Sequence, residues 1–194
     1  MSAPHRLVTE RLILRPWEEA DREPLALLNG DPEVMACYPA PLTRAESDAA
    51  FARWTAHIAE HGWGFWAVER REQGAECGRC IGMLGLQHVG ADLPCAPAVE
   101  IGWRLARDCW GQGYAQEGAR AALAFAFGTL GLAEVVSFTA LPNVRSRAVM
   151  ERLGMLREAQ DFEHPRVAPG HRLRLHCLFR MSAERARALG LGGG

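Results

Sequence analysis

The chain contains no lysine; all 22 of its Lys+Arg positions are arginine. A Walker-type phosphate loop ends in G-K-[ST], so that motif is excluded. Biased codon use in a GC-rich genome is the simplest account of the bias. Neither sign of charge is in excess. The formal net charge is −1 and the pI about 6.7, which provides no long-range attraction for nucleic acid or an anionic membrane. No apolar run approaches the roughly 20 residues that span a bilayer, and Met1 to Arg6 lacks the apolar centre of a signal peptide. The expectation is a cytoplasmic protein whose six cysteines are reduced. Cys77-Gly78-Arg79-Cys80 is a lone C-x-x-C. It has no second pair for a four-ligand zinc site. A β-like run, Ile81 to Leu86, follows where a thioredoxin-type pair would open a helix, so both cysteines read as residues leading into a strand. Cys37, Cys95, Cys109 and Cys177 are isolated.

The chain does have enough length and apolar content, 194 residues and 48% hydrophobic, to bury a core without metals or disulfides. It reads as one domain over residues 1–189, with a frayed Gly-rich tail at 190–194. Arg6 to Pro16 is a strand by its β-branched and alternating apolar residues. Asp21 precedes a short helix through Leu25, Leu27 and Leu28. Asp31-Pro32 reads as an N-cap with proline at the first helical position. Thr43 and Glu46 form a capping box for a helix with Ala50, Phe51, Trp54 and Ile58 on one face, stopped by Gly62. Strands at Gly64–Arg70 and Arg79–Val89 form a hairpin. Gly90–Pro97 is a loop, and Val99–Leu105 is a strand with Glu100, Gly102 and Arg104 on one face. A helix from near Gly113 carries Ala115, Ala119, Ala122, Leu123, Ala126, Phe127 and Leu130 on its apolar face and ends at Gly131. Val135–Leu141 is a strand. Pro142-Asn143 opens a helix to about Leu153, closed by Gly154. Strands follow near Met155–Phe162 and His171–Met181. The order β-α-α-β-β-β-α-β-α-β-β implies an α/β (α+β) fold, a mixed, mostly antiparallel sheet of six to seven strands flanked by helices.

The stretch richest in chemistry runs from Glu100 through Leu105 to Trp110-Gly111-Gln112-Gly113-Tyr114-Ala115-Gln116-Glu117. A strand enters a glycine-bearing turn and then a helix. First-turn amides have no intrahelical partner, and with the helix dipole they suit a phosphate. Gln116 stands where a dinucleotide fingerprint needs its third glycine, which disfavours NAD. A plain strand-to-helix turn is the other reading of Gly111 and Gly113.

The segment resembles the pyrophosphate motif [RQ]-x-x-G-x-[GA] of the GNAT N-acyltransferases. Gly113 and Ala115 fit the frame, and Trp110 departs from it at the first position. The wording Trp-Gly-Gln-Gly-Tyr-Ala with Glu117 is similar to the RimJ/RimL-type subgroup, whose members acetylate protein N-termini and small amines. Thr9-Glu10-Arg11-Leu12-Ile13-Leu14-Arg15 and Asn143 to Met155 resemble the same subgroup, in the same order along residues 7 to 181. The resemblance implies a GNAT fold whose strand Glu100–Leu105 splays from the next strand. Acetyl-CoA would bind in that gap. Its pantetheine would meet the backbone near Trp103 and Leu105, its pyrophosphate the amides of Gly111, Gln112, Gly113, Tyr114 and Ala115. Asn143 and Arg147 are the further cofactor contacts it implies, with Arg145 a second arginine within reach. No metal is implied. Avoidance of self-acylation then becomes a functional reading of the missing lysines.

Acyl transfer from a thioester to an amine needs a neutral amine, a polarised carbonyl and a protonated leaving thiol. Glu100, beside the groove, is the candidate base, with a water relay or an ordinary solvated strand glutamate as the other readings. Many family members protonate the thiolate with a tyrosine at the position of Met150, which has no proton to give. Ser146, three residues after Asn143, is the candidate in its place. His57, His61 and His88 are alternative bases. A cysteine–histidine mechanism fails, because His176 and Cys177 are adjacent in a strand and point to opposite faces. The acceptor is a protein N-terminus or a small amine. Met35–Leu42 and Gly90–Pro97 are expected to shape its site, and Arg172, Arg174 and His176 to form a wall or a solvated face. A non-catalytic acyl-CoA sensor and a nucleotide-binding regulator are the rival functions. Oligomeric state, a homodimer included, is left open.

Overall fold

A computed structural model of the protein describes residues 4–72 and 75–191, with the side chains of 72–77 outside that description. Nine strands form one sheet: β1 (Leu7–Val8), β2 (Leu12–Arg15), β3 (Phe65–Glu72), β4 (Ala75–His88), β5 (Val99–Leu105), β6 (Glu134–Ala140), β7 (Leu156–Arg157), β8 (Phe162–Glu163) and β9 (Leu175–Ser182). Their order is β1-β2-β3-β4-β5-β6-β9-β7, with β8 also on β9. Every pairing is antiparallel except β5 with β6. The helices are α1 (Arg22–Gly30), α2 (Arg44–His61), α3 (Tyr114–Gly128), α4 (Val144–Leu153) and α5 (Ala183–Ala188).

The strand count exceeds the expected six to seven because short hairpins hide inside longer apolar runs. Arg6–Pro16 is two strands, not one. The Thr9 amide donates to the Leu12 carbonyl at 2.9 Å, and the Leu12 amide returns a bond to Thr9 Oγ1 at 2.9 Å. Met155–Phe162 likewise yields only the two-residue β7 and the start of β8. The last strand begins at Leu175, since His171–Arg174 is a turn closed by the Arg174 amide on the His171 carbonyl at 2.9 Å. Arg172 and Arg174 therefore do not sit on a strand face.

Capping chemistry sets the helix ends. Thr43 and Glu46 make the reciprocal box that opens α2, and Gly62 ends it at φ 79°. Asn143 caps α4, and Gly154 closes it at φ 82°. α3 stops at Gly128, and Gly131 (φ 64°) turns the chain so that the Leu132 amide reaches the Ala126 carbonyl at 3.0 Å, a Schellman closure. Asp31 does cap, accepting from the Glu33 amide at 2.8 Å, but the result is a run of turns rather than a helix. Pro39 and Pro41 lack the amides that would extend it. The sequence reading missed α5, which Ser182 caps by accepting from the Arg185 amide at 3.2 Å. Leu191 is 3% exposed and packs in the main core, and residues 192–194 lie outside the described part.

α1 and α2 cover one face of the sheet. There Trp17, Phe51, Trp54 and Phe65 pack ring on ring, and the Trp17 indole donates to the Phe65 carbonyl at 2.7 Å. α3 covers the other, through Ala119, Ala122, Leu123 and Ala126, all fully buried. A second, smaller cluster of Val89, Leu93, Cys95, Val136 and Leu178 lies on the α1/α2 side of β6 and β9. Cys80 is buried, and burial pushes its thiol up to about 12. The side chain of Cys77 lies outside the described residues.

Candidate active site

β5 and β6 run parallel but meet at one register pair, Glu100 with Val136. Beyond it the strands part. In the antiparallel ladder with β4, alternate β5 residues aim their peptide groups away from β4. The Ala106 amide bonds the Ile81 carbonyl, so the even-numbered residues serve the ladder and Ile101, Trp103 and Leu105 face the gap. Ser137 Oγ donates to the Ile101 carbonyl at 2.9 Å, and the Trp110 indole donates to the Leu105 carbonyl at 2.8 Å. Between these two closed rungs the Trp103 peptide has no β6 partner. Of the two backbone contacts expected for a pantetheine, Trp103 is open and the Leu105 carbonyl is taken.

The turn after β5 brings the amides of 111–115 to the mouth of this gap. Gly111 and Gly113 have φ 74° and 80°. Glycine is required there for conformation rather than crowding, since a Cβ on Gly111 meets nothing within 4 Å. α2, α4 and α5 each have a side-chain cap, whereas Gly113 gives α3 none. An anion would complete that end. Tyr114 is buried, so it can offer its amide and not its ring, and Gln112 spends its side chain on the Asp108 carbonyl at 2.8 Å.

What fixes this turn is Glu117 in the first turn of α3. Its Oε1 accepts from Thr9 Oγ1 at 2.6 Å and from the Arg11 amide at 2.8 Å, and its Oε2 accepts from Arg11 Nε at 2.7 Å. Arg11 also bonds the Gln112 carbonyl at 2.9 Å and lies 4.8 Å over the Tyr114 ring. Burial would raise the Glu117 pKa, but the bonds from Thr9 and Arg11 outweigh it and the net shift is downward. The sequence signal was only the Thr9–Arg15 resemblance. The clamp itself joins residues more than 100 positions apart.

Glu100 lies on the α1/α2 side of β5, opposite Ile101, in the corner of the second cluster. Burial pushes its carboxyl up to about 7, with Arg166 acting in the opposite sense. Arg166 is itself held by Asp92 at 2.8 and 2.6 Å. Across the ladder from Glu100 stands Gln87, whose Oε1 is shielded from solvent with no hydrogen-bond partner among the described residues. The Phe138, Phe162, His164 and His176 rings pack on the same side, with His164 and His176 centroids 4.7 Å apart. Burial, then His176 and Arg166, pushes His164 down to about 4. His176 joins this cluster while Cys177 joins the main core, as strand alternation requires. His57, His61 and His88 instead form a separate group around Trp63, with centroids 4.4 to 5.7 Å apart, and burial, then His61 and His88, pushes His57 down to about 4.

α4 closes the other side of the gap. Asn143 Oδ1 accepts from the Ser146 amide at 3.2 Å, and its Nδ2 donates to Thr139 Oγ1 at 2.8 Å. Its capping role is thus made, leaving one lone pair and one proton for a ligand. Ser146 is half-buried in the first turn, and among the described residues its hydroxyl makes no hydrogen bond. Met150 is 1% exposed and belongs to the core. The arginine over the glycine turn is Arg145, with Cζ 4.2 Å above the Trp110 ring. Arg147, in the same turn of α4, is half-buried, and its Nε is shielded with no hydrogen-bond partner among the described residues. The mouth on the α1/α2 side is roofed by residues 35–42. Arg104 stacks 4.2 Å over the Tyr38 ring, and Arg172 donates to the Ala36 carbonyl at 3.1 Å.

A parallel strand pair that parts beyond one register pair, beside a helix N-terminus without a side-chain cap, makes an anion-accepting cleft in a mostly antiparallel α/β sheet. The acetyltransferase (GNAT) domain family matches residues 11–156, and the chain belongs to that family. Curated relatives include the uncharacterized protein YkkB of Bacillus subtilis, 34% identical over 158 residues, covering 80% of this chain and 87% of that one. Another is the FsC-acetyl coenzyme A-N(2)-transacetylase of Aspergillus fumigatus, 36% identical over 157 residues, covering 77% of this chain and 64% of that protein. An acetyltransferase from Agrobacterium tumefaciens has the same fold at TM-score 0.72 and 29% identity, over 93% of this chain and 96% of its own.

Proposed function

We propose that the chain transfers an acetyl group from acetyl-CoA to a primary amine by direct attack in a ternary complex, as a RimJ/RimL-type enzyme over one domain, residues 1–189, in the cytoplasm. The observation that carries the reading is the open Trp103 peptide set between two closed rungs and facing the uncapped start of α3. Bound acetyl-CoA supplies the thioester whose carbonyl carbon the amine attacks. Trp103 and the 111–115 amides hold the carrier. Arg145, seated on Trp110, brings the cation that the first position of the phosphate turn lacks. Glu100 takes the amine proton as the N–C bond forms, and a carboxyl pushed up to about 7 suits that task near neutral pH. As the C–S bond breaks, the Ser146 hydroxyl gives the sulfur its proton, and the proton taken by Glu100 returns through solvent to the Ser146 oxygen, which closes the balance.

Thermal unfolding with and without acetyl-CoA tests the reading. A ligand at a hundred times its Kd adds about 2.7 kcal/mol of stability. The expected result is a raised midpoint with acetyl-CoA, none with NAD or ATP, and release of free thiol when amines are added. A midpoint unmoved by millimolar acetyl-CoA overturns it. A raised midpoint with no thiol release for any amine favours the sensor.

A further inference from the structure

The α1/α2-side face of β5 changes character along its length. At one end stand hydrogen-bond acceptors: the Glu100 carboxylate and, directly across on β4, the orphaned Oε1 of Gln87. Both want donors, and an amine supplies them. Two pleats further along the same face stands Arg104. Its guanidinium bonds the neutral Asn29 and stacks 4.2 Å over Tyr38, and its Nε is shielded and unpartnered. Arg172 reaches the same roof segment, where among the described residues its hydrogen bond is to the Ala36 carbonyl at 3.1 Å. Nearby Arg166 and Arg174 are neutralised by Asp92 and Glu163. Arg104 and Arg172 have no carboxylate partner among the described residues. Arg104, half-buried and fixed by neutral groups, gains most when an anion completes it, and exposed Arg172 offers a second donor fork at the same roof. His164 and His176, their pKa values lowered by burial, add no competing charge at neutral pH.

We propose that the acceptor is an amine that also carries an anion, a carboxylate or a phosphate, with its amine at Glu100 and Gln87 and its anion at Arg104 and Arg172. This rests on the acyl-transfer reading and deepens it. The four-residue offset from Glu100 to Arg104 is about 13 Å along a strand. Less the reach of the arginine, that suits an amine and an anion separated by several bonds. Polyamines and plain alkylamines lack the second group, and two uncompensated cations repel their extra charges.

The test uses matched acceptors: 6-aminohexanoate against hexylamine, 4-aminobutyl phosphate against butylamine, and a dipeptide against its C-terminal amide. Thiol release with acetyl-CoA gives kcat/KM, and the unfolding midpoint with coenzyme A present gives binding. Each anionic member is expected to exceed its neutral partner at least tenfold in kcat/KM, mainly through KM, and the carboxylate and phosphate arms say which anion is preferred. In R172A, and in R104Q, the ratio falls toward one. Arg172 is exposed, so its variant keeps the test sound if the Arg104 variant does not fold. Thiol release without preference for the anionic member overturns this inference and leaves the transferase reading standing. No thiol release, with an Arg172-dependent midpoint shift for the anionic amines only, removes the transferase reading and with it the acceptor role, and shows a site that binds such amines without turning them over. Neither response overturns both.

Discussion

Glu69 on β3 and Glu100 on β5 are both withdrawn from solvent, and the protein treats the two carboxylates in opposite ways. Glu69, 3% exposed, accepts from Arg15 Nε at 2.7 Å and from the Gly78 amide at 2.8 Å. Arg15 in turn grips Asp21 with bonds of 2.7 and 3.0 Å. Burial alone would lower the Arg15 pKa, but the bonds to Asp21 and Glu69 outweigh it and raise it. That triad is a closed network in which one guanidinium answers two carboxylates and each carboxylate is hydrogen-bonded to it, so removing the cation leaves two buried anions uncompensated. Glu100 has no such ring of donors. Burial acts on it almost unopposed and its carboxyl rises to about 7. A carboxylate left short of partners at the vertex of the β5–β6 gap can gain and lose a proton at neutral pH.

The largest effect expected is on the closed network. R15M leaves Asp21 and Glu69 buried without a cation, and breaking such a pair costs about 3–5 kcal/mol. Chemical denaturation should read a loss in that range, and a loss under about 1 kcal/mol would mean that water, not Arg15, satisfies the triad. E100Q is expected to do the reverse to stability and to remove activity. Losing a general base costs on the order of 100-fold or more, so kcat should fall by about that factor while the variant is no less stable than wild type at pH 8. A fall of threefold or less would remove Glu100 from the chemistry.

The pH dependence sharpens the contrast. The folded pKa of Glu100 is raised from 4.5 to about 7, so the folded state holds a proton that the unfolded chain releases. Its contribution is therefore full below pH 4.5 and lost as pH rises to about 7. Relative to E100Q, wild-type stability should fall across that window, while wild-type turnover rises through about pH 7; a flat difference between the two proteins would place Glu100 in solvent. S146A should cost about tenfold in kcat with little change in the acetyl-CoA dissociation constant, and an equal loss in both would make it a binding group only. The smallest effect is on the clamp. E117Q keeps one acceptor oxygen and weakens the grip on Arg11, so acetyl-CoA affinity measured by titration calorimetry should fall a few-fold without a matching loss of kcat. An unchanged affinity would show that Gly111–Ala115 holds its shape unaided.

Local chemistry made much of this fold legible. The Thr43–Glu46 box, the Asn143 cap and the glycines at 62 and 154 are short-range signals, and each marks the helix end it promised. The glycine turn and the Glu100 strand were legible too, because strand alternation and first-turn amides follow from backbone geometry alone. Thr9 breaking the first strand was not, since the apolar run reads the same on both sides of the turn. Nor was α5, whose six residues show little periodicity beyond the Ser182 cap.

The sequence by itself therefore determined the order of the longer elements, the family and the candidate chemical groups, since caps, periods and motifs act within a few residues of each other. The tertiary structure decided which of those groups work together. It joined Thr9 and Arg11 to Glu117, seated Arg145 on the Trp110 ring beside the glycine turn, and left Trp103 the open rung. It also gave Arg15 to Glu69 and withheld a close cation from Glu100. Proton affinity depends on burial and on partners brought from distant strands, and those exist only once the sheet has closed.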